Sequence, residues 1–375
     1  MRTTLRKMRP AIAANRHPWL RRGLLSALLL LVLAAPALGG PSPSATARAL
    51  TPLPGDTDSW AFNINNRGQA VGQSIGAFTT AVVWDRDGNA TPLLPLPGDV
   101  SSFAEAINNR GQVAGYSRGD DPCGIDTGVV WDQHGVPTRL TKLAGDAGSR
   151  GFSISDSGEV TGTSLGPFDP VTCATNFTPV RWDRDGNIAQ LPYLPGFTQG
   201  FGQDINNRDQ VAGGSIDATF ATFPFITAQW WNTDNVATAL APPNGYFNAA
   251  ANGINNRGQV VGETFDILSG ANDRAVVWDR RGNATALPPL AGDPSSAAQA
   301  INNRGAVAGS SGTDLFGVFA LPQGTAVIWD KHGVPTALQP LAGDVASLAF
   351  GINEPGHVVG YSRDAAGTTT AVVWR

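Results

Sequence analysis

Aspartates recur at one position of the chain, at the end of short Leu-Pro-Gly-Asp or Leu-Ala-Gly-Asp segments. Carboxylate oxygens are the ligands that calcium prefers. If the segments share one face, the aspartates could hold a cation or a cationic ligand, but we prefer the interpretation that they are solvated turn residues. Phe197 and Asn244 replace the aspartate in two further copies. The candidate metal ligands are Asp56, Asp99, Asp146, Asp293 and Asp344. No cofactor is predicted; calcium is the one ion that these aspartates could hold.

A second oxygen-rich pattern occurs in the segments 85–89 and 183–187, which have the Asp-x-Asp-Gly-Asn spacing of a calcium loop. The downstream glutamate of an EF-hand is missing. Equivalent segments carry His134, Arg281 or His332 in place of the second aspartate. The pattern therefore predicts turns rather than metal sites.

Cys123 and Cys173 are the only cysteines of the chain. They precede Trp131 and Trp182 by eight and nine residues, so they occupy similar positions in adjacent copies of the repeat described below. In an exported protein such a pair is expected to be oxidised. We predict a disulfide between them; a free reactive pair is the alternative.

Three phenylalanines lie close together in the segment 216–227, which the sequence predicts to be a loop: Phe220, Phe223 and Phe225. Exposed aromatic rings could stack on sugars or contact a protein partner, and we take them as ligand or partner candidates. A plug folded over the centre of the protein is the other interpretation, and the one we prefer. The sequence shows no catalytic triad, zinc motif or phosphate loop. A pair of loop-borne carboxylates for glycoside hydrolysis stays open.

The positions of these residues are set by a unit that occurs seven times. Two phrases, of the forms Ile-Asn-Asn-Arg-Gly-Gln-Val and Val-Val-Trp-Asp, alternate along the chain, with successive isoleucines 43 to 51 residues apart. The isoleucines are Ile64, Ile107, Ile154, Ile205, Ile254, Ile301 and Ile352. The tryptophans are Trp84, Trp131, Trp182, Trp231, Trp278, Trp329 and Trp374.

Each unit has the pattern of four short strands separated by turns. One such sheet cannot bury both of its faces, so the units must pack on one another. A ring of four-stranded blades leaves few exposed edges. We therefore predict an all-β fold, a seven-bladed β-propeller over residues 47–375, with repeats near 57–99, 100–146, 147–196, 197–244, 245–293, 294–344 and 345–375 plus 47–56.

The two ends of the repeat region indicate that the ring is closed. The last unit stops at Arg375, after its third strand, whereas residues 47–56 align without gaps with the fourth strand and corner of the first unit, 90–99. We predict that this N-terminal strand pairs with the C-terminal blade. The repeated tryptophans are expected to fill the space between blades, and a glycine repeated in each second strand predicts a bulge or close backbone approach.

The N-terminal 39 residues have the features of an export signal. Seven basic residues and no acidic ones occupy the first 40 positions, and an apolar run from Leu24 to Leu38 ends in small residues. We predict a signal peptide over 1–39, a linker over 40–46, and a periplasmic or extracellular mature chain without a stable membrane span. An uncleaved anchor is the alternative. The remainder carries a net charge of −11, which argues against nucleic acid as a partner.

The Ile-Asn-Asn-x-Gly-Gln-Val-x-Gly phrase, the tryptophan strand and the Leu-x-Gly-Asp corner together resemble the HAF family of probable extracellular repeat proteins. The resemblance covers Ala47–Arg375, although Ala81-Val82-Val83 stands where that family typically has His-Ala-Phe. It implies export and a propeller-like repeat fold, and no activity.

The sequence thus predicts a monomeric, exported, non-enzymatic binding module for a cell-envelope or extracellular glycan or protein. The alternative is a carbohydrate-active hydrolase or lyase.

Overall fold

The computed structural model describes residues 45–120, 124–169, 175–217, 225–243, 245–265, 273–313 and 323–375. These residues form 28 strands in seven antiparallel sheets of four strands, and none of them lies in a helix. The predicted all-β, seven-bladed propeller is therefore confirmed. Among these residues, no helix is long and apolar enough to span a membrane. The predicted signal peptide and both cysteines lie outside the described residues.

In each of the first six blades, four consecutive strands form a meander. The first three blades are β2 (Asp58–Ile64), β3 (Ala70–Ile75), β4 (Thr79–Trp84) and β5 (Ala90–Leu93); β6 (Ser101–Ile107), β7 (Val113–Arg118), β8 (Asp126–Trp131) and β9 (Pro137–Arg139); and β10 (Gly148–Ile154), β11 (Val160–Leu165), β12 (Phe177–Trp182) and β13 (Ile188–Gln190).

The next three blades follow the same order. Their strands are β14 (Gln199–Ile205), β15 (Val211–Asp217), β16 (Phe225–Trp231) and β17 (Ala237–Ala239); β18 (Asn248–Ile254), β19 (Val260–Phe265), β20 (Arg274–Trp278) and β21 (Ala284–Leu287); and β22 (Ser295–Ile301), β23 (Val307–Thr313), β24 (Gln323–Trp329) and β25 (Pro335–Leu338). The strands β15 and β16 extend into the segment 216–227, which the sequence pattern predicted to be loop, because Ile216 and Asp217 pair with Ile226 and Phe225.

The seventh blade joins the two ends of the repeat region, as predicted. It consists of β26 (Ala346–Ile352), β27 (Val358–Arg363), β28 (Thr369–Trp374) and the N-terminal strand β1 (Ala47–Ala49). In this sheet Ala47 pairs with Trp374 and Ala49 with Val372. The innermost strand of each blade contacts the innermost strands of its neighbours, and β26 meets β2, so the ring is closed.

The repeated tryptophans pack between blades, as the sequence predicted. All seven are fully buried. The indole N–H of Trp131 donates to the Leu94 carbonyl at 2.8 Å, beyond the outer strand of the preceding blade, and that of Trp84 donates to Thr51 at 2.6 Å. Each tryptophan therefore fills the space between two sheets and also ties them together by a hydrogen bond.

The repeated glycines of the second strands lie opposite a β-bulge in every blade. In the second blade, Ala104 pairs with Gly115 and Ala106 with Ala114, so that Glu105 is left as an extra residue. A Cβ on Gly115 would overlap the Phe103 carbonyl oxygen and lie 3.0 Å from the Trp131 ring. Only glycine fits there, because the bulge brings the two backbones unusually close.

The repeated asparagines connect neighbouring blades at the turns between first and second strands. The side-chain oxygen of Asn108 accepts hydrogen bonds from the N–H groups of Arg110 and Gln112, both at 3.0 Å. Its amide donates to the Ser155 carbonyl of the next blade at 2.9 Å. Each asparagine therefore fixes its own turn and also links it to the next blade.

Candidate functional site

The centre of the ring is a channel lined by the seven innermost strands. We call the end with the turns between first and second strands the hairpin face, and the opposite end, where chain enters the innermost strands, the loop face. Two cavities lie along the channel, one of about 170 Å³ toward the hairpin face and one of about 130 Å³ at mid-channel. Both are lined in part by Asn63, Ser153 and Asp204.

A closed circle of hydrogen bonds surrounds the channel at the hairpin face. One residue per blade donates its backbone N–H to the side-chain oxygen of its counterpart in the next blade, at 2.7–2.9 Å. Asp156 also accepts bonds from the side-chain amides of Asn109 and Asn207. We call this ring the amide collar: Asn66, Asn109, Asp156, Asn207, Asn256, Asn303 and Glu354.

The mid-channel cavity is lined by the seven bulge residues, one from each blade. A bulge re-aims the side chain of its extra residue, and here that side chain points into the channel. Three bulge residues are aromatic, three are amides and one is acidic. They are Phe62, Glu105, Phe152, Gln203, Asn252, Gln299 and Phe350.

An aromatic wall covers one side of the channel between the seventh and first blades. The rings of Phe62 and Phe350 meet edge to face at 5.4 Å, and Trp60 stacks on Tyr361 at 5.4 Å. The Trp60 indole donates to Thr369 Oγ1 at 2.8 Å. Burial raises the pKa of Tyr361 to about 12, and its hydroxyl has no hydrogen-bond partner among the described residues.

A charged cluster lies two blade interfaces further round the ring, between the second and third blades. The carboxylate of Asp126 is fully buried and pairs with Arg118 Nε at 2.7 Å and with Arg150 at 2.5 Å. Arg118 lies over the Phe103 ring, 5.0 Å from its centre, and Arg150 lies over Tyr116 at 5.2 Å. Each arginine is therefore held by both the buried carboxylate and an aromatic face.

Replacing the buried carboxylate of this cluster should destabilise the propeller. In Asp126→Asn the two arginines lose their counter-charge, and because they are about one-third exposed we expect a loss of about 2 kcal/mol in the free energy of unfolding. Urea denaturation measures this loss. Asp185→Asn is the matched control, since its pair with Arg184 is exposed and 4.0 Å long, and it should cost less than about 0.5 kcal/mol. Equal effects of the two changes would contradict this account.

Glu105 differs from the other buried carboxylates, Asp204 and Glu263, in its lack of hydrogen bonds and not in its pKa, since burial raises the pKa of all three. Burial raises the pKa of its carboxyl to about 7, although Arg150 opposes the shift. Asp204 in the same cavity accepts hydrogen bonds from Ser153 and from the backbone of Ile205 and Ile254. Glu263 bonds to the Asn252 amide. Within the described chain, the Glu105 carboxylate accepts no hydrogen bond.

The five candidate metal ligands each accept a hydrogen bond from a serine in the second strand of the following repeat. Asp99 accepts from Ser117 Oγ at 2.6 Å, and the same serine oxygen accepts the Leu96 N–H at 3.0 Å. Asp56, Asp146, Asp293 and Asp344 make the equivalent bonds. These contacts fix the corner leading into each innermost strand. No three His, Cys, Asp or Glu side chains cluster in a metal-binding arrangement within the described residues. Calcium binding stays a prediction.

In the oxygen-rich segments the first aspartate accepts hydrogen bonds from backbone N–H groups of the same segment. These segments are therefore turns, as predicted. Asp85 Oδ1 accepts from the N–H groups of Asp87 and Asn89, at 2.8 and 2.9 Å. The side-chain hydrogen bond from Asn89 and these backbone bonds hold the pKa of Asp85 below its usual value.

Of the predicted partner residues, only Phe225 can be placed. It begins β16 and is 39% exposed. Phe220 and Phe223 lie outside the described residues, as do Cys123 and Cys173, so the disulfide stays a prediction. The sequence analysis did not select two more exposed phenylalanines of the loop face, Phe78 and Phe247, the second of which is 84% exposed.

No protein-family model and no curated protein matches the sequence. Solved structures share the fold at low identity. A streptogramin B lyase matches with a TM-score of 0.52 and 12% identity over 88% of this chain and 97% of that one. Virginiamycin B lyase from Staphylococcus aureus gives 0.50 and 11% over 88% and 99%. A puromycin hydrolase gives 0.55 and 13% over 87% of this chain and 55% of that one. The fold and channel therefore define a seven-bladed β-propeller, distantly similar to these proteins in architecture.

Proposed function

We propose that this chain is an exported, non-enzymatic binding module of the HAF type, and that it holds a glycan at the loop face and the adjoining channel. The observation that carries the proposal is the position of the residues that differ between the repeated units. Side chains that pack blades together recur in nearly every unit, whereas the bulge residues differ from blade to blade. Variable side chains on a rigid scaffold are how such folds acquire a ligand.

The chemistry of this surface suits a sugar chain. Trp60, Phe62 and Phe350 offer aromatic rings on one side of the channel, while Gln203 and Gln299 offer amide donors and acceptors on the other. At the rim, Phe247 and Val345 lie exposed just before the innermost strands β18 and β26. Sugar rings have apolar faces and hydroxyl edges, so they can use both kinds of group.

Residues of the loop face should therefore affect glycan binding more than matching residues of the hairpin face. In Phe247→Ser and Val345→Ser an exposed apolar contact is lost, and we expect affinity for hits from a glycan array to fall about tenfold, or 1.4 kcal/mol. Val334→Ser is the matched control, because Val334 is about as exposed as Val345 but lies in a turn of the hairpin face. Equal losses in all three variants, or no glycan hit at all, would refute the proposal.

A carbohydrate-active hydrolase or lyase is the second candidate. The raised pKa of Glu105, about 7, suits a general acid. Glycoside hydrolysis usually needs a second carboxylate, and the nearby Asp126 and Asp204 are already held by ion pairs and hydrogen bonds. A turnover assay on every array hit separates the two candidates.

A further inference from the structure

We propose that the mid-channel cavity receives the ammonium group of an amine-bearing glycan, with Glu105 as its anionic contact. This inference rests on the proposed glycan-binding function and narrows the ligand to sugars with a free amine.

The charge of the cavity lining favours a cation. The described residues that line it include two carboxylates, Glu105 and Asp204, and no arginine, lysine or histidine. Asp204 is already satisfied by three hydrogen bonds. The Glu105 carboxylate accepts none from the described chain and has only the longer-range attraction of Arg150, so its oxygens are free to accept hydrogen bonds from a ligand. A bound ammonium would supply both the opposite charge and N–H donors.

The aromatic lining favours an organic cation over a metal ion. The blades on either side of Glu105 contribute Phe62 and Phe152 as their bulge residues, and Phe350 follows one blade further round. Ring faces attract ammonium groups, whereas calcium takes six to eight oxygen ligands. Across the channel, the side chains of Gln203 and Gln299 make no hydrogen bond within the described residues. Their oxygens can accept the remaining N–H groups.

The cavity is large enough for an ammonium group but not for a whole sugar chain. A volume of about 130 Å³ holds several water molecules, each of which needs roughly 10–15 Å³. An ammonium and its attached carbon fit in the same space. The sugar ring would then remain above it, toward the partly buried Trp60 of the aromatic wall, which stacks on the buried Tyr361.

Binding should also release a proton from Glu105. The charged or titratable groups acting on this carboxyl are Arg150, Asp126 and Tyr116, and burial outweighs Arg150 in setting its pKa near 7. A bound ammonium favours the ionised form. At pH 6 the carboxyl is mostly protonated before binding, so ligand uptake should release a proton, at most one per site, in the wild type and none in Glu105→Gln.

The test uses three β-1,4-linked tetrasaccharides, built of glucosamine, of N-acetylglucosamine and of glucose, with the purified full chain. Isothermal titration at pH 7 should show the glucosamine oligomer binding at least tenfold more tightly than the other two. Glu105→Gln should remove that preference, and Phe152→Leu should weaken binding of the glucosamine oligomer several-fold. The matched control Glu354→Gln, the same change in the amide collar, should bind like the wild type. Titration at pH 6 in two buffers of different ionisation enthalpy measures the released proton.

The outcomes separate this inference from the function on which it rests. Equal binding of all three oligomers, unchanged in Glu105→Gln, would overturn the ammonium site and leave glycan binding in place. Binding of none of them, together with an empty glycan array, would overturn both. If a lysine tripeptide binds through Glu105 while no oligosaccharide does, the partner is a cationic peptide and the amine-bearing glycan is wrong. Thermal melting of each variant confirms that it is folded.

Discussion

A chain lacking residues 47–53 should fail to form a stable propeller, because this short segment completes the seventh blade. Its removal leaves the edge of β28 unpaired from Val372 to Trp374. It also removes Leu50, which is 2% exposed, and the Thr51 carbonyl that accepts the buried Trp84 indole N–H. Burial of one leucine is worth about 1.5–3 kcal/mol, and an unsatisfied buried donor costs about 1–3 kcal/mol.

Together with the lost strand pairing, these terms predict a loss of at least about 5 kcal/mol, a large part of the 5–15 kcal/mol typical of a folded domain. At about 2 °C per kcal/mol, the melting temperature should fall by at least about 10 °C. Calorimetry of the deletion beside a chain that begins at residue 43 measures the difference. A peptide of residues 43–53 added in trans should restore much of the loss by occupying the open edge. If the deletion melts like its control, the ring does not depend on this strand.

The propeller fold could be predicted from the sequence because its unit is repeated seven times. Seven tryptophans in register could only be accommodated between packed sheets, and the missing fourth strand of the last unit had one visible replacement in residues 47–56. The structure places that segment against β28, as predicted. Because each blade repeats the same contacts, the strands of a unit with an unclear pattern could be predicted by comparison with the other six units.

The corner aspartates have a regular spacing to their serine partners that is present in the sequence but is recognised only once the structure is known. Asp99 and Ser117 are 18 residues apart, and Asp56 and Ser74 have the same spacing, as do the equivalent pairs in three other units. A constant spacing to a hydroxyl partner indicates a structural hydrogen bond. The aspartates drew attention as possible calcium ligands because their partner lies on another strand.

The channel residues were missed for a different reason. Glu105 lies two residues before a repeated isoleucine, on a strand whose alternation would turn it toward a neighbouring blade. The bulge between Ala104 and Ala106 breaks that alternation and turns the side chain into the channel. The glycine on the second strand did predict a bulge. The sequence did not show which residue of the first strand would be the extra one, because that depends on the pairing register.

Gly115→Ala should be among the most damaging single substitutions, because the glycine makes room for this bulge. The added methyl would overlap the Phe103 carbonyl oxygen and crowd both the Phe103 carbonyl carbon and the Trp131 ring at 3.0 Å. The Phe103 carbonyl belongs to the backbone, which cannot shift as easily as a flexible side chain. The bulge itself must therefore move. Overpacking of this kind costs about 3 kcal/mol, which lowers the melting temperature by roughly 6 °C or more in a domain of this size.

The matched control is Gly166→Ala, where the nearest atom to an added methyl is 3.5 Å away and the backbone is compatible with alanine. It should melt within about 2 °C of the wild type. Gly115→Ala should also lose the binding that depends on Glu105, since that side chain is carried by the displaced bulge, while Gly166→Ala should retain it. If Gly115→Ala is as stable and binds as well as its control, close backbone approach is not what requires glycine here, and the bulge is not what aims Glu105 into the channel.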